Sequence, residues 1–311
     1  MGDLEITTVP AGQQAEAIEL IFSHLSDKER QRQVNWLLAN VTAGRASLDG
    51  LFGAYRGARL MGAILAQVHP GRTATVWMPG EAGCEGPTAG QRPSRPVGVQ
   101  LIEYLSNWLR QQDVGLAQML IVTATESQEA SLRQGGFDRL TDLLYLVCLE
   151  REFPVILPVG RLQFEPYTPA NHRRLAALVA ATYQQSLDCP KLNDARPMDD
   201  VLTGYRAIGV FDPSRWLIVR HREDDVGCLL LTDHPQDENW ELIYMGVVAG
   251  QRGRAWGIEI VRYAQWLTGL AGRPRLVLAV DAANDPAIRV YAAAGFRAWE
   301  RRSVYAKRFR R

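Results

Sequence analysis

The sequence predicts an α/β (α+β) fold of two tandem domains, each a mixed, largely antiparallel sheet flanked by helices. Two observations lead to this prediction. Segments with the alternating apolar pattern of strands and segments with the apolar spacing of amphipathic helices follow one another in the same order in both halves of the chain. Glycines and His-Pro pairs between these segments also recur at matching spacings, as expected of an internal repeat.

The two halves contain the same succession of elements. In the first half, strand patterns occupy residues 5–9, 51–56, 60–68, 73–77, 119–123 and 143–149, and helix patterns occupy 12–25, 27–43, 97–111 and 127–134. In the second half, strand patterns occupy 162–167, 216–220, 226–232, 240–248, 275–280 and 304–309, and helix patterns occupy 169–185, 198–208, 257–270 and 286–294. A segment with two prolines lies between them. We therefore expect domains at 1–150 and 161–311, joined by a linker at 151–160.

The spacing of glycines supports a duplication. Gly98 and Gly136 are 38 positions apart, and so are Gly257 and Gly295. The first glycine of each pair opens a helix pattern and the second precedes a phenylalanine. In both halves a His-Pro pair also begins seven residues after a strand glycine. Together these matches favour a repeat over two unrelated domains.

Composition and charge exclude several classes of protein. The 311 residues are 47% hydrophobic and 22% charged, which is typical of a globular chain. The formal net charge of +1 provides no overall attraction to nucleic acid or to an anionic membrane. The four cysteines lack the spacing of a metal site or a disulfide framework, and neither a signal peptide nor an apolar membrane span is evident. We expect a cytoplasmic protein without a metal, a nucleic-acid partner or a membrane association.

A glycine-rich turn of the second half has the features of a phosphate site. It leads from a strand directly into a helix, whose first N–H groups lack internal partners and favour negative charge. The small residues Gly253, Ala255 and Gly257 would let a pyrophosphate approach the backbone, and Arg252 and Arg254 would supply positive charge. An ordinary turn with solvated arginines explains the same residues.

This turn resembles a family signature. The stretch from Arg252 to Gly257 is similar to the Arg/Gln-x-x-Gly/Ala-x-Gly/Ala motif of the GNAT acyltransferase superfamily, and the stretch from Asn284 to Phe296 is similar to the family's second motif. The resemblance covers the second half and, more weakly, the first. It implies a sheet that splays after its fourth strand, with the pantetheine of acetyl-CoA pairing with Val247 and Val248. The pyrophosphate would then lie on residues 252 to 257, including Trp256.

The same resemblance implies an acid and a base. Amine acylation needs a base to deprotonate an ammonium group and an acid to protonate the leaving thiolate. Glu241 occupies the position of the family's glutamate base, and Tyr291 occupies that of its thiolate-protonating tyrosine. A solvent-facing glutamate and a packing aromatic are the alternatives. Asn284 is expected to contact pantetheine, to cap the following helix, or both. His234 has no paired carboxylate near it in the sequence, and we assign it no role.

The first half resembles a degenerate copy. The residues equivalent to the phosphate turn are 93–98, where two prolines remove amide donors. Thr125 and Leu132 stand where the second half has its asparagine and tyrosine, and alignment of the two halves on their methionines places Ala74 at the position of the base. We expect neither catalysis nor CoA binding in this half. Tandem GNAT proteins with one degenerate half, such as mycothiol synthase, are similar in organisation.

The acceptor is expected at the segment that joins the first two helices of the second half. Asp188 and Asp194 would receive a cationic amine and Arg196 a carboxylate or phosphate, although a solvated loop explains the same residues. The sequence thus predicts an N-acetyltransferase that moves an acetyl group from acetyl-CoA to a primary amine, in a small molecule or a peptide, within a ternary complex. A non-catalytic acyl-CoA-binding or interaction module and a Fem-like aminoacyl transferase are the alternatives.

Overall fold

The computed structural model describes residues 3–82, 95–193 and 195–309. These residues separate into two compact units. The first unit contains the described residues up to 139 together with 304–309, and the second contains the described residues from 140 to 303.

The first unit is a sheet with helices packed on it. Its strands are β1 (Glu5–Thr8), β2 (Gly50–Arg56), β3 (Arg59–His69), β4 (Thr73–Val76), β5 (Gly80–Glu81) and β6 (Leu116–Ile121), and its helices are α1 (Gln14–Ile21), α2 (Asp27–Thr42), α3 (Val97–Gln111) and α4 (Glu126–Gln134). The strand order is β1-β2-β3-β4-β6, and β5 pairs with β3. The neighbours are antiparallel except for β4 and β6, which are parallel.

The second unit repeats this design. Its strands are β7 (Asp138–Leu149), β8 (Gln163–Pro166), β9 (Trp216–His221), β10 (Asp224–His234), β11 (Asn239–Val247), β12 (Arg275–Asp281) and β13 (Arg297–Arg308), and its helices are α5 (His172–Tyr183), α6 (Met198–Arg206), α7 (Trp256–Leu270) and α8 (Asp285–Ala293). The strand order is β7-β12-β11-β10-β9-β8. Only β11 and β12 are parallel among these neighbours.

The two halves of the sequence exchange their last strands. Strand β7 comes from the first half, yet its residues 143–149 pair with the whole length of β12 in the second unit. The end of β13 belongs to the first unit, where the Phe309 N–H donates to the carbonyl of Gly115. The compact units therefore differ from the sequence ranges 1–150 and 161–311. Both final strands have similar apolar alternation, and the sequence pattern does not specify which sheet each one joins.

The predicted fold class is confirmed, because both units are mixed sheets flanked by helices. Helix α3 has the predicted bounds, and most other elements agree to within a few residues. The main differences are β6, which begins at Leu116, and the two closing strands, which are longer than predicted. Strand β5 was not predicted, since two residues are too few to show a periodic pattern.

The second sheet is buried on both faces. On one face, Leu229 and Leu231 of β10 pack in the core that also contains residues of α7 and α8. On the other face, Cys228 and Leu230 pack with residues of α5 and α6. Burial of one such leucine side chain contributes about 1.5–3 kcal/mol. Burial on both faces constrains β10, whereas the neighbouring strand β11 has an irregular register.

Strands β11 and β12 stay together over a short distance only. Their parallel ladder has three pairs and ends at Glu241, which is opposite Val277. Strand β11 also contains a bulge, because Leu242 and Tyr244 face consecutive residues of β10 and Ile243 is the extra residue between them. Beyond Glu241 both strands continue without pairing to each other, so a gap opens between them. We call this the β11–β12 gap.

Candidate active site

One wall of the β11–β12 gap is the free edge of β11. The Val248 N–H donates to the Val226 carbonyl at 3.0 Å, and this pair fixes which residues bond to β10. Because strand residues alternate in direction, Met245 and Val247 direct their backbone groups into the gap. Of the two predicted valines, Val247 therefore faces the gap and Val248 does not. The sequence did not predict Met245 as a residue of this edge. The bulge at Ile243 shifts which strand residues point their backbone groups into the gap, and its position is known only from the structure.

The predicted phosphate turn follows this edge. A short 3₁₀ turn at Ala249–Gln251 leads to Gly253 and Ala255, both with positive φ (79° and 64°), and helix α7 begins at Trp256. No side chain caps the helix. Within the described part of the chain, the amides of residues 253 to 255 have no hydrogen-bond acceptor. Donors that converge at an uncapped helix N-terminus suit an anionic ligand.

Each small residue of this turn has a different environment. A Cβ on Gly253 would meet no atom within 4 Å, so that position opens outward. A Cβ on Gly257 would meet Val290 at 3.5 Å, an ordinary van der Waals contact, so this position faces α8. Ala255 holds a left-handed conformation that costs an L-residue about 1–2 kcal/mol. Such strain is typical of a position that the surrounding structure constrains for a ligand.

The two arginines that were predicted to supply charge to a phosphate have different surroundings. The Arg252 guanidinium donates to the carbonyls of Thr182, Gln184 and Gln185, at 2.8 to 2.9 Å, and to that of Val247 at 3.0 Å. Its charge therefore offsets carbonyl groups at the C-terminal end of α5. Arg254 is exposed beside the turn.

The Trp256 side chain points away from the turn. It is only 2% exposed, it belongs to the core beneath α7, and its ring contacts Arg161 and His221. Only its backbone amide is directed toward a ligand at the turn.

Glu241 is held by a histidine. Its neighbours Trp240 and Leu242 are buried on one face of the sheet, so the Glu241 side chain projects from the other face and is 29% exposed. The Glu241 Oε2 atom lies 2.8 Å from Nε2 of His234. This hydrogen bond is the main reason why the pKa of His234 is raised above its ordinary value, with burial opposing it and Asp237 and Asp233 adding to it.

The sequence contained a signal for this histidine in its repeat. His69, the equivalent of His234, forms a hydrogen bond from Nε2 to the Thr75 hydroxyl at 3.0 Å. Thr75 also ends the three-residue parallel ladder of β4 and β6, as Glu241 ends that of β11 and β12. The residue equivalent to Glu241 is therefore Thr75, and the assignment to Ala74 was wrong by one position. The alignment had used methionines beyond the bulge, which adds one residue to β11.

Asn284 and Tyr291 lie at the two ends of α8. The Asn284 Oδ1 atom accepts a hydrogen bond from the Ala287 N–H at 3.3 Å, so this residue caps the helix. Tyr291 is 5% exposed and its ring contacts Phe296 edge to face. Burial, together with the negative charge of Asp188, raises the pKa of Tyr291. Its phenol is thus protonated at neutral pH.

The predicted acceptor segment is anchored to the end of β12. The Asp188 Oδ1 atom accepts the Asp281 N–H at 3.2 Å, and Asp281, which is 1% exposed, accepts the Cys189 N–H at 3.0 Å. Asp281 also accepts the Thr141 hydroxyl at 2.6 Å. Burial raises the pKa of Asp188, the hydrogen bond from the Asp281 N–H opposes this rise, and the negative charge of Asp281 adds to it. Asp188 is therefore not part of a freely solvated loop. Asp194 lies outside the described residues.

Three tyrosines line the same side of the sheet. The hydroxyls of Tyr183 and Tyr205 are 3.1 Å apart, and the Tyr244 hydroxyl is 2.6 Å from the Thr182 hydroxyl oxygen. The ring of Tyr244 stacks on that of Tyr205 and meets that of Tyr183 edge to face. We call these three residues the tyrosine cluster. Arg196, which precedes α6, is partly buried, and burial lowers the pKa of Arg196.

The first unit has a different arrangement at the equivalent helix. Its helix α3 begins after Pro96, which lacks an N–H, and the Gly98 N–H donates to the Glu81 carboxylate at 3.1 Å. The protein's own carboxylate thus occupies the helix N-terminus. Leu132, at the position of Tyr291, is 1% exposed within the core. Thr125 caps α4 in a reciprocal pair with Gln128.

Comparisons with known proteins agree with this geometry. Residues 179–296 match the model of the Acetyltransferase (GNAT) family. A GCN5-related N-acetyltransferase from Sphaerobacter thermophilus is 15% identical with a TM-score of 0.58, and the match covers 99% of this chain and 96% of that one. A tandem GNAT protein from the clavulanic acid biosynthesis pathway is 16% identical with a TM-score of 0.50, over 98% of both chains. No curated protein matches in sequence.

A further structural match extends over a domain of a larger protein. The glucosamine N-acetyltransferase region of a fungal GH3 β-N-acetylglucosaminidase is 13% identical with a TM-score of 0.57, over 98% of this chain and 38% of that one. The chain therefore has a GNAT fold, and its segment 179–296 is similar to the acetyltransferase (GNAT) family. This fold supports acyl transfer in general.

The part of the chain that the structure describes contains neither a cluster of metal-ligating side chains nor a helix that could span a membrane. No group of three or more His, Cys, Asp or Glu side chains there could hold a metal ion. None of the helices described is both long and apolar enough to cross a membrane.

The bond between His234 and Glu241 predicts a pH-dependent stability. Since folding raises the pKa of His234, the bond's contribution is full below the unfolded value, about 6.5, and is lost as the pH rises through the folded value. We expect the stability advantage of the parent over His234→Gln to be larger at pH 5.5 than at pH 9, by up to about 1 kcal/mol. Urea unfolding at both pH values measures it.

The control is His24→Gln, because the His24 ring contacts only the Ile21 carbonyl among its described hydrogen-bond partners. A stability difference between the parent and His234→Gln that does not change with pH would contradict the charged pair.

Proposed function

We propose that this protein is an N-acetyltransferase that moves an acetyl group from acetyl-CoA to a primary amine by direct attack in a ternary complex. One observation carries the proposal. The β11–β12 gap, with an unpaired strand edge, runs into an uncapped helix N-terminus inside the segment that matches the GNAT family. A thioester with a long amide arm and a pyrophosphate needs both features.

The residues at the gap suggest how acetyl-CoA would bind. The backbone N–H and carbonyl of Met245 and the N–H of Val247 would pair with the pantetheine arm, since the Val247 carbonyl already accepts a hydrogen bond from Arg252. The amides of residues 253 to 257 would bind the pyrophosphate. Arg254 is exposed and available to add charge, whereas Arg252 would act by holding α5 against the turn. We retain Val248 and Asn284 as neighbours of the arm, since Val248 follows the last residue of β11 and the Asn284 N–H donates to the carbonyl of Asp281, the last residue of β12.

The proposed chemistry moves two protons. The nitrogen lone pair attacks the thioester carbonyl carbon, the carbon–sulfur bond breaks, and an amide and CoA form. Glu241 would accept the proton that the ammonium group must lose before attack, directly or through water. Tyr291 would donate a proton to the departing sulfur, a role that suits a phenol whose pKa is raised by burial. Val277 of β12 is opposite Glu241, and Asp281 lies four positions after Val277. Because strand side chains alternate, Glu241 and Asp281 lie on the same face of the sheet.

The second reading is a binding module without chemistry. The first unit by itself fits an interaction module that does not bind CoA, because Glu81 occupies the helix N-terminus and Thr75 replaces the base. In the second unit Glu241, Tyr291 and the open turn are all present, which favours an enzyme. We propose that the acceptor is a small-molecule or peptide amine and that the reaction takes place in the cytoplasm. The proposed reaction involves no metal and no nucleic acid. The near-neutral charge weighs against a Fem-like transferase fed by tRNA.

The proposal predicts one acetyl-CoA site per chain. Gly253→Val should weaken binding at least tenfold, about 1.4 kcal/mol, because a branched side chain would crowd the pyrophosphate. The control is Gly272→Val, because Gly272 also has a positive φ (68°, against 79° at Gly253) and open surroundings, beyond the far end of α7. Titration calorimetry measures both affinity and stoichiometry. Two comparable sites, or equal affinity in the two variants, would show that the site is elsewhere.

The second prediction concerns the base. Glu241→Gln should lower kcat/KM by about 10²–10⁴-fold and leave acetyl-CoA binding intact, because the amide cannot accept the proton. The control is Glu238→Gln, an exposed residue three positions earlier. Steady-state thiol release over a pH series measures the effect, and the acidic limb of the profile should disappear. If Glu241→Gln had the same kcat/KM as the parent, Glu241 would not be the base and would be a surface residue only.

The third prediction separates acid from packing at Tyr291. Tyr291→Phe keeps the ring that fills the core and removes only the phenol oxygen, so stability should be retained. We expect kcat to fall at least about tenfold with little change in acetyl-CoA affinity. Tyr263→Phe is the control, since the Tyr263 ring stacks on Phe164. Normal turnover in Tyr291→Phe would leave protonation of the thiolate to water.

A further inference from the structure

His234 and Glu241 are diagonal neighbours on one face of the second sheet. His234 is opposite Asn239 on the β10–β11 ladder, and Glu241, two positions further along β11, is opposite Thr232. Strand residues two positions apart lie on the same face, and long side chains can reach a diagonal neighbour. The 2.8 Å contact between Nε2 of His234 and Oε2 of Glu241 therefore follows from the register of the two strands.

The carboxylate determines the direction of this hydrogen bond. An ionised glutamate has no proton to donate, so Nε2 of His234 carries the hydrogen. The bond occupies Oε2 of Glu241, whereas Oε1 has no hydrogen-bond partner among the described residues. One carboxylate oxygen is thus held, and the other is left for a proton donor.

The neighbouring aspartates do not replace Glu241 as the partner of the histidine. The Asp233 carboxylate accepts two hydrogen bonds from Arg273, both at 2.9 Å. Asp237 is exposed in the turn between β10 and β11. The ring of His234 therefore has a hydrogen-bonded carboxylate on the side of β11 only.

The turn after α6 confines the histidine ring from another side. Gly209 in this turn has a positive φ of 58°, and a Cβ there would come within 2.6 Å of the Asp233 carbonyl oxygen and 3.1 Å of Cε1 of His234. The Val210 N–H donates to the same Asp233 carbonyl at 2.8 Å, which fastens the turn to β10. Such a close approach requires glycine, so the turn acts as a support for the ring.

The first unit lacks this support. Gly44, the glycine with a positive φ that follows α2, would place a Cβ where no atom lies within 4 Å. His69 is bonded to the hydroxyl of Thr75 rather than to a carboxylate. The close turn therefore occurs in the unit that has the glutamate.

We propose that His234 is a positioning residue, which holds Glu241 by Oε2 so that Oε1 is free to accept the proton of the acceptor's ammonium group. This inference rests on the proposed function, because the histidine acts through the proposed base. A glutamate side chain has several rotatable bonds, and Glu241 is partly exposed, so without the histidine its carboxylate would occupy several rotamers. A base must lie within hydrogen-bond reach of the proton that it accepts.

Variants of His234 test this role. His234→Ala removes the donor and should lower kcat/KM by about 10–100-fold, mainly through kcat, with acetyl-CoA affinity unchanged, because a misplaced group reacts slowly. His234→Gln keeps an N–H near the position of Nε2 and should recover most of that loss. The matched control is His69→Ala, which breaks the corresponding bond in the first unit and should keep the parental rate.

The assay is the release of CoA thiol from acetyl-CoA. Phenethylamine, spermidine, glucosamine and a lysine-containing peptide are offered to the parent, and the acceptor with the highest kcat/KM is then used for every variant. Calorimetry gives the acetyl-CoA affinity, and thermal unfolding verifies that each variant is folded.

A double-mutant cycle shows whether the histidine acts through the base. In the Glu241→Gln background there is no carboxylate to hold, so His234→Ala should change kcat/KM by less than about twofold. A loss of the same size in both backgrounds would overturn the positioning role.

The remaining outcomes separate this role from the proposed function. A parental rate in His234→Ala, a loss that His234→Gln does not recover, or an equal loss in His69→Ala would overturn the positioning role and keep the acetyltransferase. Absence of thiol release by the parent with every amine would contradict the proposed function, and with it the role of His234.

Discussion

The parallel ladder between β11 and β12 is the constraint on which the rest of the second unit depends. It has only three pairs, and the bulge at Ile243 turns β11 away just after it. The double burial of β10 holds one strand in place, while pairing with β7 holds β12 over its full length. The strands can therefore separate without loss of the sheet. Met245 and Val247 at this edge are only partly buried, so their backbone groups remain accessible to a ligand or to water.

Arg252 connects this edge to the acceptor side. Its guanidinium joins the carbonyl of Val247 on β11 to three carbonyls at the end of α5. The helix that precedes the Asp188 segment is thereby tied to the turn that precedes α7. Four carbonyls around one guanidinium are strong, charge-assisted contacts. A residue that the motif suggests as a phosphate ligand is thus used by the fold to hold the proposed donor and acceptor sites in a fixed relation.

The two units show how one scaffold keeps or loses a site. Both have a three-pair parallel ladder and a histidine bonded to the last residue of that ladder. In the first unit this residue is Thr75, and Glu81 satisfies the helix N-terminus that Ala255 leaves open in the second. The differences are a few side chains, whereas the strand order is the same. Chemistry can therefore be lost while packing is retained.

The sequence by itself determined the elements, the repeat and the motifs, because these depend on local periodicity and on short spacings. Helix α3 and the phosphate turn are examples, since each is encoded within about fifteen consecutive residues. Only the tertiary structure decided features that depend on register and on distant contacts. The bulge at Ile243 moved the equivalent of Glu241 to Thr75 and turned the Val248 amide away from the gap. The exchange of final strands and the bond between Asp188 and Asp281 join residues far apart in the chain, and no local pattern specifies such partners.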